Sequence, residues 1–343
     1  MLPDLSIPAP DEALRARVRA AIDAKTKPPG SLGRIERLAE QIAVAQGTEA
    51  PSTSARLFIC AGDHGLVAEG VSAWPQEVTA AMVQNFVAGG AAANVFARTV
   101  GAEVTVVDAG IATPLAGAPG LIRAGIRAGT RNAALEDALT RAEVEAALAF
   151  GARLGQEAAG DGTRVIALGE MGIGNTATAA LLTQALTGAP LAEIVGPGAG
   201  VGPGGIDAKR AILERTVARR PGRLSPAEAL AAFGGLEIAV LAGILIGGAA
   251  ASAVVVVDGF IASAAALAAL GARPEAAHAC IFAHRSREPG HRAILDALNA
   301  DPLLDLDMAL GEGTAALLAL PLLTAAAAML REMATFDSAG ITR

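Results

Sequence analysis

Five short apolar runs separated by helical patterns constrain the fold of this chain more than any other feature of its sequence. Each run has the length and composition of a buried strand. The runs are Leu57–Cys60, Val104–Val107, Val165–Leu168, Val254–Val257 and Ala279–Ala283. Strands that alternate with helices favour a mostly parallel sheet covered by helices on both faces. The sequence therefore predicts an α/β fold of this kind.

Apolar residues at helical spacing fill most of the segments between these runs. The helices predicted there are Gln76–Thr99, Arg141–Ala158, Thr176–Leu186, Ile206–Val217, Pro226–Ile246, Gly290–Asn299 and Gly313–Met333. Upstream, one amphipathic helix spans about Asp11 to Ala24, and Ser31 is expected to cap a second helix. The segments from Thr113 to Arg131 and from Pro197 to Gly205 lack a strong periodicity and are predicted to be loops.

The charge balance limits the classes of partner that this chain can bind. Its 343 residues include 27 Lys and Arg against 34 Asp and Glu, a net charge of −7, and contain no long basic run. Because nonspecific nucleic-acid binding needs a basic surface, no nucleic-acid partner is expected. Local amides and a few cations must then hold any anionic substrate.

The cysteines and histidines indicate a reduced protein without a metal site. Cys60 and Cys280 both lie in predicted strands, which favours a buried, reduced pair in a cytoplasmic protein over a disulfide. The four histidines lack the spacing of metal ligands. The segment Met1–Pro10 carries Asp4 and lacks the apolar core of a signal peptide.

One uncharged stretch, Ile238–Val257, is long enough to cross a bilayer. Gly247 and Gly248 interrupt it, its last four residues have strand character, and Glu237 and Asp258 flank it with no Lys or Arg nearby. We therefore predict a buried helix followed by a buried strand, and no membrane span.

The segment Gly169–Thr176 joins a predicted strand to a predicted helix. Its glycines allow a ligand to approach the backbone, and the free N–H groups at a helix start favour an anion. Asn175 or Thr176 could cap the helix or contact a phosphate, although glycines in such turns also serve tight packing. A carboxylate here, Glu170, is costly beside an anion unless it binds sugar hydroxyls or a cation.

A second glycine-rich segment, Gly196–Gly205, precedes Lys209. It lacks the last glycine of a dinucleotide fingerprint and the Gly-Lys-Ser/Thr of a Walker loop. Two interpretations remain open, a flexible loop or a second phosphate clamp in which Lys209 takes part.

Four other side chains are candidates for function. Asp63 and His64 lack the partners of a metal site or a catalytic triad, so a role in supporting a loop is favoured. Trp74, the only Trp, could wall a pocket for a flat ring or be a core aromatic. Glu312 lies between two glycines at a helix start, where the helix dipole favours an acid, or where a carboxylate could serve as general base.

Six segments carry a further signal when they are taken together in order and spacing, namely Thr26–Arg34, Asp63–Gly65, Glu69–Thr79, Gly169–Thr176, Asp258–Phe260 and Leu310–Gly313. They resemble the nicotinate-nucleotide–dimethylbenzimidazole phosphoribosyltransferase family, and the resemblance runs from about Lys27 to Phe336. The resemblance implies transfer of phosphoribose from nicotinate mononucleotide to 5,6-dimethylbenzimidazole, with inversion and without a cofactor or metal. It also implies a homodimer.

The resemblance assigns roles to particular residues. Glu312 is implied as the general base, and Glu170 lies at the family position beside the ribose. The implied phosphate residues are Gly172, Asn175, Thr176, Gly198, Gly200 and Lys209, and the implied acceptor-base pocket is Trp74, Met82, Met171 and Leu310. The family fold is a Rossmann-like domain, here residues 47–284, with a small helical domain from both termini, here residues 1–46 and 285–343.

The chain departs from common family patterns at two places. Many relatives carry Tyr where this chain has Trp74, and many carry two Asp residues where it has Gly202 and Pro203. Three alternatives accompany the main hypothesis. An oxidoreductase would need a complete glycine fingerprint, which neither loop supplies. A nonenzymatic nucleotide-binding protein could use the same loops, and an enzyme of the same family could use another acceptor, such as adenine or a phenolic compound.

Overall fold

The computed structural model describes residues 5–115, 118–198, 200 and 203–341, so that Gly202 lies outside the described residues. Six strands in this part of the chain form one sheet in which every pairing is parallel. The strands are β1 Ala55–Gly62, β2 Glu103–Gly110, β3 Ile122–Arg123, β4 Val165–Met171, β5 Val254–Val257 and β6 Cys280–Phe282. All five predicted strands are confirmed, as is the α/β class, whereas β3 lies in a segment predicted to be a loop.

The strand order places a crevice at the centre of the sheet. The order is β3-β2-β1-β4-β5-β6, so the chain builds outward from β1 in one direction and then from β4 in the other. Ligands bind outside the carboxyl ends of the strands where a doubly wound sheet changes direction. The β1–β4 pairing sets Cys60 opposite Glu170, which brings Glu170 close to this edge.

The helices cover the sheet and differ from the prediction at several places. Their bounds are α1 Glu12–Asp23, α2 Arg34–Gln46, α3 Glu77–Ala88, α4 Ala92–Val100, α5 Arg141–Gly160, α6 Asn175–Thr187, α7 Leu191–Ile194, α8 Pro203–Val217, α9 Pro226–Phe233, α10 Leu236–Ala250, α11 Phe260–Ala272, α12 Pro289–Ala297 and α13 Thr314–Glu332. Two of the predicted helices, Gln76–Thr99 and Pro226–Ile246, are each divided into two helices in the structure. Gly89, with a φ of 81°, ends α3, and the pair Gly234-Gly235 separates α9 from α10.

The start of α2 was predicted wrongly. Ser31 does not cap this helix, which begins at Arg34 after Gly33. The Glu36 carboxylate instead accepts hydrogen bonds from the N–H groups of Gly30 (3.1 Å) and Leu32 (2.9 Å). A side chain from inside the helix thus accepts the free N–H groups of the turn before it. A search for N-cap residues alone does not find such an interaction.

The uncharged stretch is a buried helix, α10, followed by a buried strand, β5, as predicted. Among the described residues, α13 is the helix that is long and apolar enough to cross a membrane, with a mean hydropathy of 1.7. Because 56% of that window is buried inside the protein, α13 has the burial expected of a core helix.

Glycines allow α5 and α10 to pack in backbone contact. A Cβ added to Gly151 of α5 would collide with the carbonyl oxygen of Val240, and one added to Gly155 would lie 2.5 Å from that of Ile244. On the other helix, Gly243 and Gly247 face the backbone of α5 in the same way. Part of the high glycine content therefore serves close helix packing.

We expect Gly151→Ala to destabilise the fold by about 1–3 kcal/mol, because the added methyl group would push the two helices apart. Urea denaturation of the purified variant measures the effect. Gly160→Ala is the matched control, since Gly160 ends the same helix and an added Cβ there meets nothing within 4 Å. Equal midpoints for the two variants would contradict this account of the interface.

Candidate active site

A cavity of about 550 Å³ opens at the carboxyl edge of the sheet. Ten of the twelve predicted site residues line it, namely Trp74, Met82, Glu170, Met171, Gly172, Asn175, Thr176, Gly198, Leu310 and Glu312. Lys209 lines an adjoining cavity of about 30 Å³ that shares Gly172, Asn175 and Thr176 with the larger one. Gly200 lines neither, although a Cβ added to it would lie 4.0 Å from Trp74 Nε1.

The turn that carries Glu312 has an unusual backbone. Glu312 has a φ of 63° and lies between Gly311 at 85° and Gly313 at 80°. A residue with a side chain held in this region costs about 1–3 kcal/mol, and such residues concentrate at functional sites. Glu312 is only 6% exposed, lines the cavity, and its Oε2 has no hydrogen-bond partner in the described part of the chain.

Asp258, which directly follows β5, holds this turn in place. Its carboxylate accepts hydrogen bonds from the N–H groups of Gly313 (3.2 Å) and Ala316 (2.8 Å), and so caps the start of α13. From the other side the turn rests on β4, where a Cβ added to Gly169 would lie 2.5 Å from the carbonyl oxygen of Glu312.

Glu170 lies beside this turn and is buried, with 6% of its surface exposed. Its Oε2 accepts a hydrogen bond from Asn175 Nδ2, and its Oε1 lies against Gly311, where a Cβ would collide with it. Burial, together with the charges of Asp258 and Glu237, raises the pKa of Glu170 to about 8.

The pKa values of two neighbouring carboxyl groups are also raised. Burial raises the pKa of Asp258 to about 7, although hydrogen bonds from the start of α13 oppose the shift. Burial also raises the pKa of Glu312, against a hydrogen bond from the backbone of Ala93. This part of the cavity therefore favours a ligand that brings positive charge, because such a charge would stabilise the ionised carboxylates.

The opposite part of the site favours an anion. Helix α6 begins at Asn175 after Gly174, and Asn175 and Thr176 line both cavities, so the positive end of the helix dipole lies beside them. Lys209 is 2% exposed, and its Nζ donates to Thr176 Oγ1 (2.9 Å) and to the carbonyl oxygen of Gly196 (3.2 Å). Burial lowers the pKa of Lys209 to about 8, against the charge of Glu288.

Asp63 and His64 support the loops around the cavity and do not line it. Asp63 Oδ2 accepts from the N–H of Ala112 (2.8 Å). His64 Nε2 pairs with Glu237 Oε1 (2.9 Å), and its Nδ1 is hydrogen bonded to Thr178 Oγ1 (2.9 Å). Burial acts to lower the pKa of His64, but the Glu237 carboxylate outweighs it and raises the value. The predicted supporting role agrees with this geometry.

Several cavity residues were not predicted, and the polar ones follow the last strand. His284, Ser286 and Glu288 come directly after β6 and line the cavity with Phe260 at the start of α11. The motif from His284 to Ser286 does follow an apolar run, which was the signal available in the sequence. Cys60 and Cys280 are free and buried as predicted, and the described residues contain no group of three or more His, Cys, Asp or Glu arranged to hold a metal ion.

Comparison with known proteins gives the class of this site. The model of a family described as phosphoribosyltransferase matches residues 7–341, which is nearly the whole chain. The chain with this doubly wound sheet and cavity is therefore a member of a phosphoribosyltransferase family.

Individual relatives identify the family more narrowly. The nicotinate-nucleotide–dimethylbenzimidazole phosphoribosyltransferase of Ralstonia nicotianae is 55% identical over 97% of this chain and 95% of its own length. The protein of the same name from Cupriavidus necator is 50% identical over 97% and 96%. The crystal structure of CobT from Thermus thermophilus matches with a TM-score of 0.92 at 46% identity, covering 96% of this chain and 99% of that one. The chain belongs to the nicotinate-nucleotide–dimethylbenzimidazole phosphoribosyltransferase family, as its motifs predicted.

The raised pKa of Glu170 makes the stability of the fold depend on pH. Between its ordinary value of 4.5 and about 8, the folded protein keeps a proton that the unfolded chain releases, so stability falls as the pH rises through this window. We expect Glu170→Gln to remove this loss. Relative to the wild type, the variant should gain about 1.4 kcal/mol per pH unit at most between pH 5 and 8.

Urea denaturation at several pH values measures this gain. Glu143→Gln is the control, because the pKa of Glu143 is lowered where that of Glu170 is raised. Although burial opposes it, hydrogen bonds from Arg131 and Thr140 lower the pKa of Glu143 to about 2. Glu143 is therefore ionised in both states above pH 6, and its replacement should destabilise equally from pH 6 to 8. A Glu170→Gln difference that does not change with pH would show that Glu170 is ionised in the folded protein.

Proposed function

We propose that this protein transfers the 5-phosphoribosyl group of nicotinate mononucleotide to 5,6-dimethylbenzimidazole, giving α-ribazole 5′-phosphate and nicotinate. The observation that carries the proposal is the carboxylate of Glu312. It lines the cavity, is held in a left-handed turn, and has one oxygen that no other described residue pairs with. The relatives carry the name of this reaction. This family membership does not favour an oxidoreductase, a nonenzymatic binder or another acceptor.

The reaction needs one base and no general acid at the leaving group. The pyridinium ring of the nucleotide is already cationic, so nicotinate leaves with the electron pair of the C1′–N bond. One benzimidazole nitrogen attacks C1′ from the opposite face, which converts the β-nucleotide into an α-product with inversion. The other benzimidazole nitrogen must lose its proton. We propose that Glu312 accepts it, which is supported by an Oε2 that has no hydrogen-bond partner among the described residues.

Glu170 is proposed to stabilise positive charge at the ribose. In the protein alone its raised pKa keeps the carboxyl group mostly protonated near neutral pH. The pyridinium of the bound nucleotide, and then the oxocarbenium character at C1′, would lower that pKa and favour the carboxylate. A fixed negative group facing the developing charge lowers the barrier without reorganisation.

The remaining residues hold the two substrates. The phosphate is proposed to bind at the start of α6, where the helix dipole favours an anion. The residues proposed to hold it there are Gly172, Asn175, Thr176, Gly198, Gly200 and Lys209. Trp74, Met82, Met171 and Leu310 are proposed to enclose the acceptor ring. Trp74 is 53% exposed and Leu310 is 56% exposed, which supports a role in covering a bound ring at the mouth of the cavity. Holding both rings in contact supplies much of the rate enhancement.

The division into two domains is proposed on the contacts between the chain ends. Lys25 forms an antiparallel bridge with Thr335, and its Nζ donates to the carbonyl oxygen of Met333 (2.8 Å). These contacts support a small helical domain, residues 1–46 and 285–343, beside an α/β domain of residues 47–284. The resemblance to the family supports a homodimer, and the two free, buried cysteines support a cytoplasmic enzyme.

A product assay tests the proposed function. Purified protein is mixed with nicotinate mononucleotide and 5,6-dimethylbenzimidazole, and chromatography should detect nicotinate and α-ribazole 5′-phosphate. Glu312→Gln should lower kcat by about 10²–10⁴-fold and leave nucleotide affinity unchanged, because it removes only the base. Glu332→Gln, at the exposed far end of α13, is the control and should keep full activity. A folded wild-type protein that binds the nucleotide and forms no product would refute the proposal.

A further inference from the structure

The amide of the glycine loop that is proposed to bind phosphate already has an acceptor in this structure. Glu288, the residue before α12, is 6% exposed and lines the main cavity. Its Oε1 accepts a hydrogen bond from the N–H of Gly198 at 3.1 Å. Its Oε2 is buried and has no hydrogen-bond partner in the described ranges.

Glu288 also lies close to the cation of the same site. A Cβ added to Gly196 would lie 2.5 Å from Glu288 Oε2, and the carbonyl oxygen of Gly196 accepts a hydrogen bond from Lys209 Nζ. The Glu288 carboxylate and the Lys209 ammonium therefore face the same short piece of backbone. Each acts electrostatically on the other.

We propose that Glu288 is an internal competitor of the substrate phosphate, occupying the Gly198 amide and neutralising Lys209 when no phosphate is bound. The inference rests on the proposed function, because it assumes that phosphate binds to these two groups. A phosphate and a carboxylate that share the same buried donors repel each other. The phosphate must therefore displace or protonate Glu288 when it binds.

The competition has a use in this reaction. Nicotinate mononucleotide and α-ribazole 5′-phosphate carry the same 5′-phosphate, so tight binding of that group would hold the product as firmly as the substrate. Binding that is equally strong in all states does not speed the chemical step, and it slows release. A carboxylate that returns to Gly198 as the phosphate leaves would favour exchange of product for substrate.

The binding of inorganic phosphate to the full-length protein tests the proposal directly. Calorimetry should give at least about tenfold tighter binding to Glu288→Gln than to the wild type, because the glutamine keeps the shape and removes the charge. Glu193→Gln is the matched control, since Glu193 is exposed on α7 and its loss changes the net charge equally. Glu193→Gln should bind phosphate as the wild type does.

A second variant and a second ligand separate the alternatives. If Glu288→Gln does not fold, Glu288→Ala offers the same test, because it removes the charge and also frees the Gly198 amide. Unchanged or weaker phosphate binding by a folded variant would overturn the proposal. Weaker binding of nicotinate riboside, which has no phosphate, together with unchanged phosphate binding, would instead assign the free Oε2 to a ribose hydroxyl.

The phosphate-binding test does not depend on whether the protein catalyses the proposed reaction. Tighter phosphate binding by Glu288→Gln, in a protein whose wild type forms no product from the two substrates, would support this inference and refute the proposed function. Product formation by the wild type, with unchanged phosphate binding in the variant, would support the proposed function and refute this inference.

Discussion

The cap that Asp258 places on α13 is the interaction on which the site depends. One carboxylate at the end of β5 accepts the N–H groups of Gly313 and Ala316, and so fixes the backbone that presents Glu312. A left-handed run through Gly311, Glu312 and Gly313 would not persist without such support, since its conformation is costly. Because β5 is paired with β4, the same cap also sets Glu312 beside Glu170. The pairing of β4 with β5 thus fixes the positions of the two carboxylates relative to each other.

Much of this architecture could be predicted because it depends on local pattern. Buried parallel strands are apolar on both sides, so five of the six described strands are visible as apolar runs. The helix α11 was missed because a segment buried on all sides is also a continuous apolar run. It is buried on nearly every side and has no polar face to reveal its period. The division of two helices, at Gly89-Gly90 and at Gly234-Gly235, was missed because apolar residues continue on both sides of each glycine pair.

The site was predicted unevenly, and the reason is topological. Glu170 and the start of α6 lie at the end of one strand, where the order of elements gives the position of the ligand. Glu288 follows β6 and meets Gly198, a residue 90 positions earlier, through a contact that no local pattern encodes. The strain at Glu312 is visible in the sequence only as two flanking glycines, and their meaning becomes clear when the backbone angles are known.

The electrostatics of the protein alone make sense when the charges of the substrate are added. Carboxyl groups of raised pKa lie at one end, Glu170 and Asp258 among them, and a lysine of lowered pKa lies at the other. Burial shifts the pKa of each of these groups against its charged form, and an opposite charge nearby would shift that pKa back. A ligand with a cationic ring and an anionic phosphate supplies both charges at once. Binding of such a ligand would therefore favour the ionised carboxylates that the proposed mechanism uses, and a ligand without a cationic ring would not.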